Sequence, residues 1–284
     1  MMAVVSELGD FEILPEPEPE PKPEPYYQQR DELVKLYQGD CLELMPQVIA
    51  DKSIDCIICD LPYGVTGYHW DLQLPLDLLW REYKRVLRPH GVIVLFGNQP
   101  FTNALINSNQ KWFRYELIWE KTTPTGFLDA HNRPLRNHEN ILVFTEPTGR
   151  RKTTYNPQFW QSTPYKKGLG RNSRNSDLYR SKAARTSLKI DCADGKRYPK
   201  SVLRFSKHTG LSKYHPNSKP VALLEWLIKT YTNPGDKVLD NTCGGGSTLV
   251  AAYKLGRPVI GIELDQKFVE AATARLIELE LEIK

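Results

Sequence analysis

The 284-residue sequence predicts an α/β fold: a mostly parallel sheet with helices on both faces. Three observations carry this. Short apolar runs alternate along the chain with segments of helical periodicity. The strand-like runs, such as Ser53 to Cys59 and Gly91 to Phe96, are continuously apolar, as expected of strands buried on both faces. Two of them end in residues unsuited to a core, Asp60-Leu61-Pro62-Tyr63 and Asp240-Asn241-Thr242-Cys243-Gly244-Gly245-Gly246. In such sheets the ligand lies beyond the C-terminal strand ends.

The elements follow in order. Pro15 to Pro25 reads PEPEPEPKPEP, which favours an extended spacer and cannot build a core, so residues 1–29 are expected to be a disordered acidic tail. Leu33 to Tyr37 is a short strand, Cys41 to Ile49 a helix, and Ser53 to Cys59 a buried strand. Leu76 to Leu87 is a helix, with apolar residues at 78, 79, 83, 86 and 87. Gly91 to Phe96, Trp112 to Trp119 and Asn140 to Phe144 read as strands. Residues 147–214 have no sustained periodicity. Beyond them come a helix at Val221 to Tyr231, a strand at Lys237 to Asp240, a helix at Ser247 to Leu255, a strand at Val259 to Glu263 and a closing helix at Gln266 to Leu279. Residues 30–146 and 215–284 are thus two halves of one domain, and 147–214 an insertion between them.

Charge sets the insertion apart. Residues 147–214 carry seventeen Lys or Arg against three Asp, while residues 1–25 carry seven acids against one Lys. A basic block in a chain of net charge +4 points to a polyanion partner. Tyr155, Phe159, Trp160, Tyr165, Tyr179 and Tyr198 lie within it, and bases stack on aromatics while cations hold phosphates. No apolar run is long enough to span a membrane and Met1 to Asp10 does not read as a secretory signal, so a cytoplasmic location is expected. The five cysteines are scattered, and Cys56-x-x-Cys59 lies inside an apolar strand, which favours core thiols over a redox pair or half a zinc site.

Two constellations carry chemistry. Gly244, Gly245 and Gly246 follow a strand and precede a helix, where backbone can approach a ligand closely and unpaired N–H groups suit a carboxylate. Glu263, at the end of the next strand, can accept hydrogen bonds from ribose hydroxyls. No G-x-G-x-x-G and no Walker lysine are present. In Asp60-Leu61-Pro62-Tyr63-Gly64, proline stiffens the turn and leaves a carboxylate, the Leu61 carbonyl and an aromatic face together. An exocyclic amine is a poor nucleophile because its lone pair is delocalised into the ring. Hydrogen bonds from its two N–H groups to those two acceptors would favour a pyramidal nitrogen, with Tyr63 stacking on the base.

These motifs resemble the amino-methylating DNA methyltransferases in the beta order, with the catalytic motif ahead of the cofactor loop. Asp60-Leu61-Pro62-Tyr63 resembles that family's D-P-P-Y, His215 to Pro220 the segment leading to the cofactor region, and Asn233 to Asp240, Ala251 to Arg257 and Ile260 to Glu263 the elements around the loop. The loop departs from D-P-F-x-G-S-G-T at Asn241, Thr242 and Gly245. The resemblance implies a Rossmann-like seven-stranded methyltransferase sheet and S-adenosylmethionine as cofactor. Asp40, Cys41, Lys219, Asp240, Asn241, Thr242, Gly244, Gly246, Ser247, Thr248 and Glu263 would meet the cofactor, and Asp60, Leu61, Pro62 and Tyr63 would be catalytic. Residues 147–214 sit where this class keeps its target-recognition region, with Arg150, Arg151, Lys152, Lys166, Lys167, Arg171 and Arg174 on DNA. Asn137 to Asn140 resembles a structural motif of the family. His69 and Trp70 read as loop packing or a cover for the base, and the direct methyl transfer needs no metal. The expected product is N6-methyladenine in double-stranded DNA, since N4-cytosine enzymes more often begin the motif with Ser. An RNA-directed enzyme and a non-catalytic DNA-binding protein are the other readings. A homodimer and a companion restriction enzyme are both compatible with the resemblance.

Overall fold

The computed structural model describes residues 21–29, 32–64, 73–147, 153–167, 190–192, 194–206 and 214–283. In chain order the first half contains β1 (Tyr27–Gln28), β2 (Val34–Gln38), α1 (Cys41–Val48), β3 (Ile54–Cys59), α2 (Leu76–Val86), β4 (Leu87–Gly97), α3 (Phe101–Ser108), β5 (Phe113–Thr125), a 3-10 turn (Phe127–Asp129) and β6 (Arg136–Phe144). Short strands β7 (Trp160–Gln161), β8 (Tyr165–Lys167), β9 (Ile190–Cys192) and β10 (Lys196–Arg197) follow. The chain closes with β11 (Val202–Phe205), α4 (Val221–Tyr231), β12 (Val238–Asp240), α5 (Ser247–Lys254), β13 (Val259–Glu263) and α6 (Gln266–Ile283).

Nine described strands form one sheet in the order β1-β2-β13-β12-β3-β4-β6-β5-β11. From β2 to β4 every pair is parallel, and β6 runs antiparallel to both its neighbours. The seven strands from β2 to β5 are the sheet expected from sequence. Side chains alternate between its two faces, and both faces are covered. Cys56 and Ile58 of β3 join Leu224 of α4, Val250 of α5 and Ala272 of α6. Ile57 and Cys59 join Met45 of α1, Leu79 of α2 and Leu105 of α3. A fully buried aliphatic side chain contributes about 1.5–3 kcal/mol, and here both strand faces collect it, which is why Cys56 to Cys59 reads as unbroken apolar sequence. Cys56 and Cys59 point to opposite faces, so the C-x-x-C is a pair of core thiols, not a redox couple.

Two expectations need correction, and one helix lies beyond them. The acidic tail does not extend to residue 29: Tyr27 and Gln28 pair with β2, and the Tyr27 hydroxyl donates to Glu280 Oε1 at 2.7 Å. The preceding residues 1–20 lie outside the described chain. The basic insertion does not run unbroken to residue 214. Val202 to Phe205 form β11, parallel to β5, with Leu203 buried and the Phe205 carbonyl accepting from Trp119 Nε1 at 3.0 Å. Helix α3 had no sequence signal, being one short stretch with Thr, Asn and Ser among its apolar positions.

The order of strands puts β12 beside β3 at the centre. From β3 the chain moves outward to β4, and from β12 it moves to β13 on the other side. This reversal opens a crevice at the carboxyl ends, where open α/β sheets bind ligands. The strand ends there are Asp60 and Asp240.

Candidate active site

A cavity of about 260 Å³ lies over these strand ends, just below the usual range for small-molecule sites. Asp60, Leu61, Pro62 and Tyr63 form one side of its lining, and Asp40, Glu263 and the glycine loop another. Leu61 anchors the first group by burying its side chain. The Tyr63 hydroxyl donates to Asp60 Oδ1 at 2.5 Å, and its ring packs on Phe101 with centroids 5.0 Å apart. Thr242 Oγ1 donates to the Asp60 carbonyl at 3.2 Å, tying the two strand ends together.

Asp60 is the first member of a chain of alternating charges. Lys219 Nζ donates to Asp60 Oδ2 and lies 3.4 Å from Glu139 Oε2, and Glu139 pairs in turn with Lys121. The Lys219 side chain is only 9% exposed and that of Asp60 27%, so the lysine is shielded while the carboxylate keeps a face toward the cavity. Lys219 Nζ also sits 5.0 Å from the centre of the Phe96 ring, and Lys121 Nζ 5.2 Å from that of Trp119. Burial alone would lower the Lys219 pKa, but the Asp60 and Glu139 carboxylates more than offset it and hold the ammonium charged. Burial acts upward on Glu139, but Lys219 and Lys121 bring it below its ordinary value. Lys219, expected on the cofactor, therefore directs its ammonium to the Asp60 carboxylate. Glu139 and Lys121 belong to this site too, although sequence offered Asn137 to Asn140 only as a structural motif.

The glycine loop is held largely by its own side chains. Asn241, also expected on the cofactor, turns into a buried network: its Oδ1 accepts from the Cys59 thiol at 2.8 Å and the Tyr83 hydroxyl at 2.6 Å, and its Nδ2 donates to Cys41 Sγ at 3.4 Å. The Ser247 hydroxyl accepts from Arg275 at 2.8 Å, and the same guanidinium nitrogen donates to the Gly245 carbonyl at 3.1 Å. Gly246 does not line the cavity; its φ of +72° caps α5, and a Cβ there would lie 3.0 Å from that of Ala272. At Gly245, where the family loop has Ser, a Cβ would meet His215 Cβ at 3.0 Å and the Tyr214 backbone at 3.1 Å. The residue was made small by the segment that packs over it. Asp40 caps α1 by accepting from Leu42 N at 2.7 Å. Glu263 accepts from Gly244 N at 2.8 Å and Asp265 N at 2.9 Å, which leaves each oxygen a further lone pair. Thr242 stands where the family has Phe, and Phe268, whose ring meets His215 at 4.2 Å, supplies aromatic surface to the lining instead.

Asp240 is buried. Desolvation pushes its pKa up to about 7, against hydrogen bonds from Thr248 and the Thr242 N–H. A folded-state value above the unfolded one means that the folded chain holds a proton the unfolded chain releases. That contribution to stability is complete below the ordinary carboxylate value and is lost as pH rises through about 7. The ceiling on this loss is about 4 kcal/mol. Asp240→Asn, uncharged throughout, should gain stability relative to the parent as pH rises from 5 to 8. Thermal melts of both proteins across that range check it, and a constant difference would contradict the assignment.

The expected DNA contacts Arg150, Arg151, Lys152, Arg171 and Arg174, and the loop residues His69 and Trp70, lie outside the described residues. Lys166 and Lys167 are in β8, paired with β9. Among the described residues no helix is long and apolar enough to cross a membrane.

Comparison with known proteins agrees with this arrangement. The family profile described as "DNA methylase", of the N6/N4 type, matches residues 54–274. The type II methyltransferase M.HinfI of Haemophilus influenzae is 28% identical over 285 aligned positions, covering 88% of this chain and 70% of that protein. Among solved structures, the M1.HpyAVI–SAM complex superposes with a TM-score of 0.58 at 23% identity, over 86% of this chain and 98% of that one. PvuII DNA methyltransferase, cytosine-N4-specific, gives 0.61 at 15% identity, over 85% and 86%. These two establish a shared fold. The profile spans both strand-end motifs and most of the chain, and the chain belongs to the amino-methylating DNA methylase family.

Proposed function

We propose that the protein transfers a methyl group from S-adenosylmethionine to N6 of adenine in double-stranded DNA. The observation that carries this reading is Asp60, its charge supported by Lys219, at the mouth of a cavity whose other wall is the glycine loop and Glu263. The donor set fits the cofactor. Glu263 retains lone pairs for ribose hydroxyls, the start of α5 has no side-chain cap and offers backbone N–H groups to a carboxylate, and Phe268 gives the adenine ring an apolar surface. Bound there, S-adenosylmethionine supplies an electrophilic methyl group.

The chain's own residues position and deprotonate the amine. A flipped adenine would donate its two N–H groups to Asp60 and the Leu61 carbonyl. As the N–C bond forms and the S–C bond breaks, the nitrogen becomes positive and loses a proton to Asp60. Lys219 acts against the burial that raises the pKa of that carboxylate and so favours its ionised form, and Tyr63 holds its rotamer. Glu263→Ala should weaken cofactor binding by about 2 kcal/mol, measured by titration without DNA. An unchanged affinity would make the acid structural.

Residues 147–201, ahead of β11, are read as the DNA-reading insertion. Within the described part, Phe159 and Tyr198 pack with centroids 4.8 Å apart, and Lys200 lies 5.3 Å from the ring of Trp160, so exposed aromatics and cations stand side by side. The base assignment rests on Asp at the first position of the motif. Mass spectrometry of nucleosides from DNA treated with protein and cofactor tests it: N6-methyladenine is expected. N4-methylcytosine would overturn the base and keep the chemistry, and 5-methylcytosine would overturn both.

A further inference from the structure

The β5–β6 hairpin continues past the sheet. β4 ends at Gly97, opposite Asn140, and β11 ends at Phe205, opposite Lys121. Beyond those points β5 and β6 run on to the turn at Phe127–Asp129, with Thr125 opposite Arg136. Both β4 and β5 are antiparallel to β6, so β5 leaves the sheet at the edge that holds Asp60. Glu139, one link in the charge chain to Asp60, sits at the base of this extension. From Glu139 to Arg136 the strand rises by roughly 10 Å, which carries the turn past the end of the sheet that holds Asp60.

The turn carries an unusual load. Leu128 is 101% exposed and Phe127, beside it, 64%. Neither appears in either apolar core cluster. The turn itself is well built: Arg133 pairs with Asp129, and Gly126, at φ +92°, starts the 3-10 helix. His131, Arg133 and Arg136 are exposed around the apolar pair. An apolar point whose rim is net positive, Arg133 and Arg136 against Asp129, disfavours a second copy of itself but suits a polyanion with an apolar interior. Duplex DNA is such a partner: phosphates lie outside and stacked bases inside. Drawing a base into the cavity leaves a gap in that stack, and apolar side chains that enter between base steps offset part of the unstacking cost.

We propose that Phe127 and Leu128 are a wedge that enters the duplex beside the target base as it leaves the stack, with Arg133 and Arg136 toward the flanking phosphates. This rests on DNA being the substrate, as proposed above, and not on which base is methylated.

The test compares the parent with Phe127→Ala/Leu128→Ala on two duplexes carrying the site found by sequencing DNA that the parent has methylated. In one the target base is paired; in the other it faces an abasic position. The variant should lose at least about tenfold in methylation rate on the paired duplex and stay within about threefold on the unpaired one, with cofactor affinity and melting temperature unchanged. Equal losses on both duplexes, or no loss on either, would overturn the wedge. So would a change in sedimentation from dimer to monomer, which would assign the tip to a second copy. If the parent methylates no DNA, the functional reading fails first; methylation by the parent with no paired-duplex defect in the variant fails the wedge alone.

Discussion

Asp60→Ala should lower methyl transfer by at least about a thousandfold and leave cofactor affinity within a few-fold. The carboxylate lies at the end of β3, keeps a face toward the cavity, and is held by Tyr63 and Lys219. None of these contacts belongs to the glycine loop except the Thr242 bond, which goes to the Asp60 main chain and survives the substitution. Asp60→Asn retains an acceptor oxygen but cannot take the proton, and should fall between the two. Single-turnover rates with saturating cofactor and DNA measure the effect.

Lys219→Met should produce a loss of a different kind. Breaking a buried ion pair by removing one partner destabilises by about 3–5 kcal/mol, and here it leaves Asp60 and Glu139 without the ammonium between them. Burial already pushes the Asp60 pKa up, with Lys219 acting against it and Glu139 adding to it. Without the lysine the carboxyl is driven higher still. Its protonated fraction rises, and the protonated form is a poor acceptor for the amine and cannot take its proton. The rate should fall by about a hundredfold near pH 7 and recover as pH is raised through the new value. The parent should show the corresponding rise at lower pH. A loss equal at every pH would mean that Lys219 only supports the fold, and thermal melts report that contribution separately.

The parts of the fold that reach the eye in sequence are those set by local rules. A strand segment buried on both faces must be apolar, and Cys56 to Cys59 of β3, Val92 to Phe96 of β4 and Val259 to Ile262 of β13 are. A ligand-facing strand end must carry polar or glycine residues, and Asp60 and Gly244 to Gly246 mark the crevice that the topology forms. What was hidden depends on contacts distant in sequence. Lys219 meets Asp60 across 159 positions, and the Glu139–Lys121 pair forms only when β5 and β6 face each other. A signal existed: both are charged residues adjoining apolar strands, where an unpaired charge is costly. Asn241 and Gly245, read as departures from the family loop, each follow from a neighbour, Asn241 from the Cys59 and Tyr83 donors beneath it and Gly245 from the Tyr214–His215 backbone above it. Edge strands β1 and β11 are too short for periodicity to show, and pairing with a longer strand defines them.

The central claim is that one cavity has two separable walls: the end of β3 for the amine, and the ends of β12 and β13 for the cofactor. Calorimetric titration of S-adenosylmethionine into the parent, Asp60→Ala and Glu263→Ala proteins, without DNA, tests that division most directly. Asp60→Ala should bind within a few-fold of the parent, and Glu263→Ala about thirtyfold more weakly, the equivalent of about 2 kcal/mol. Equal losses in the two variants, with both proteins folded, would contradict it.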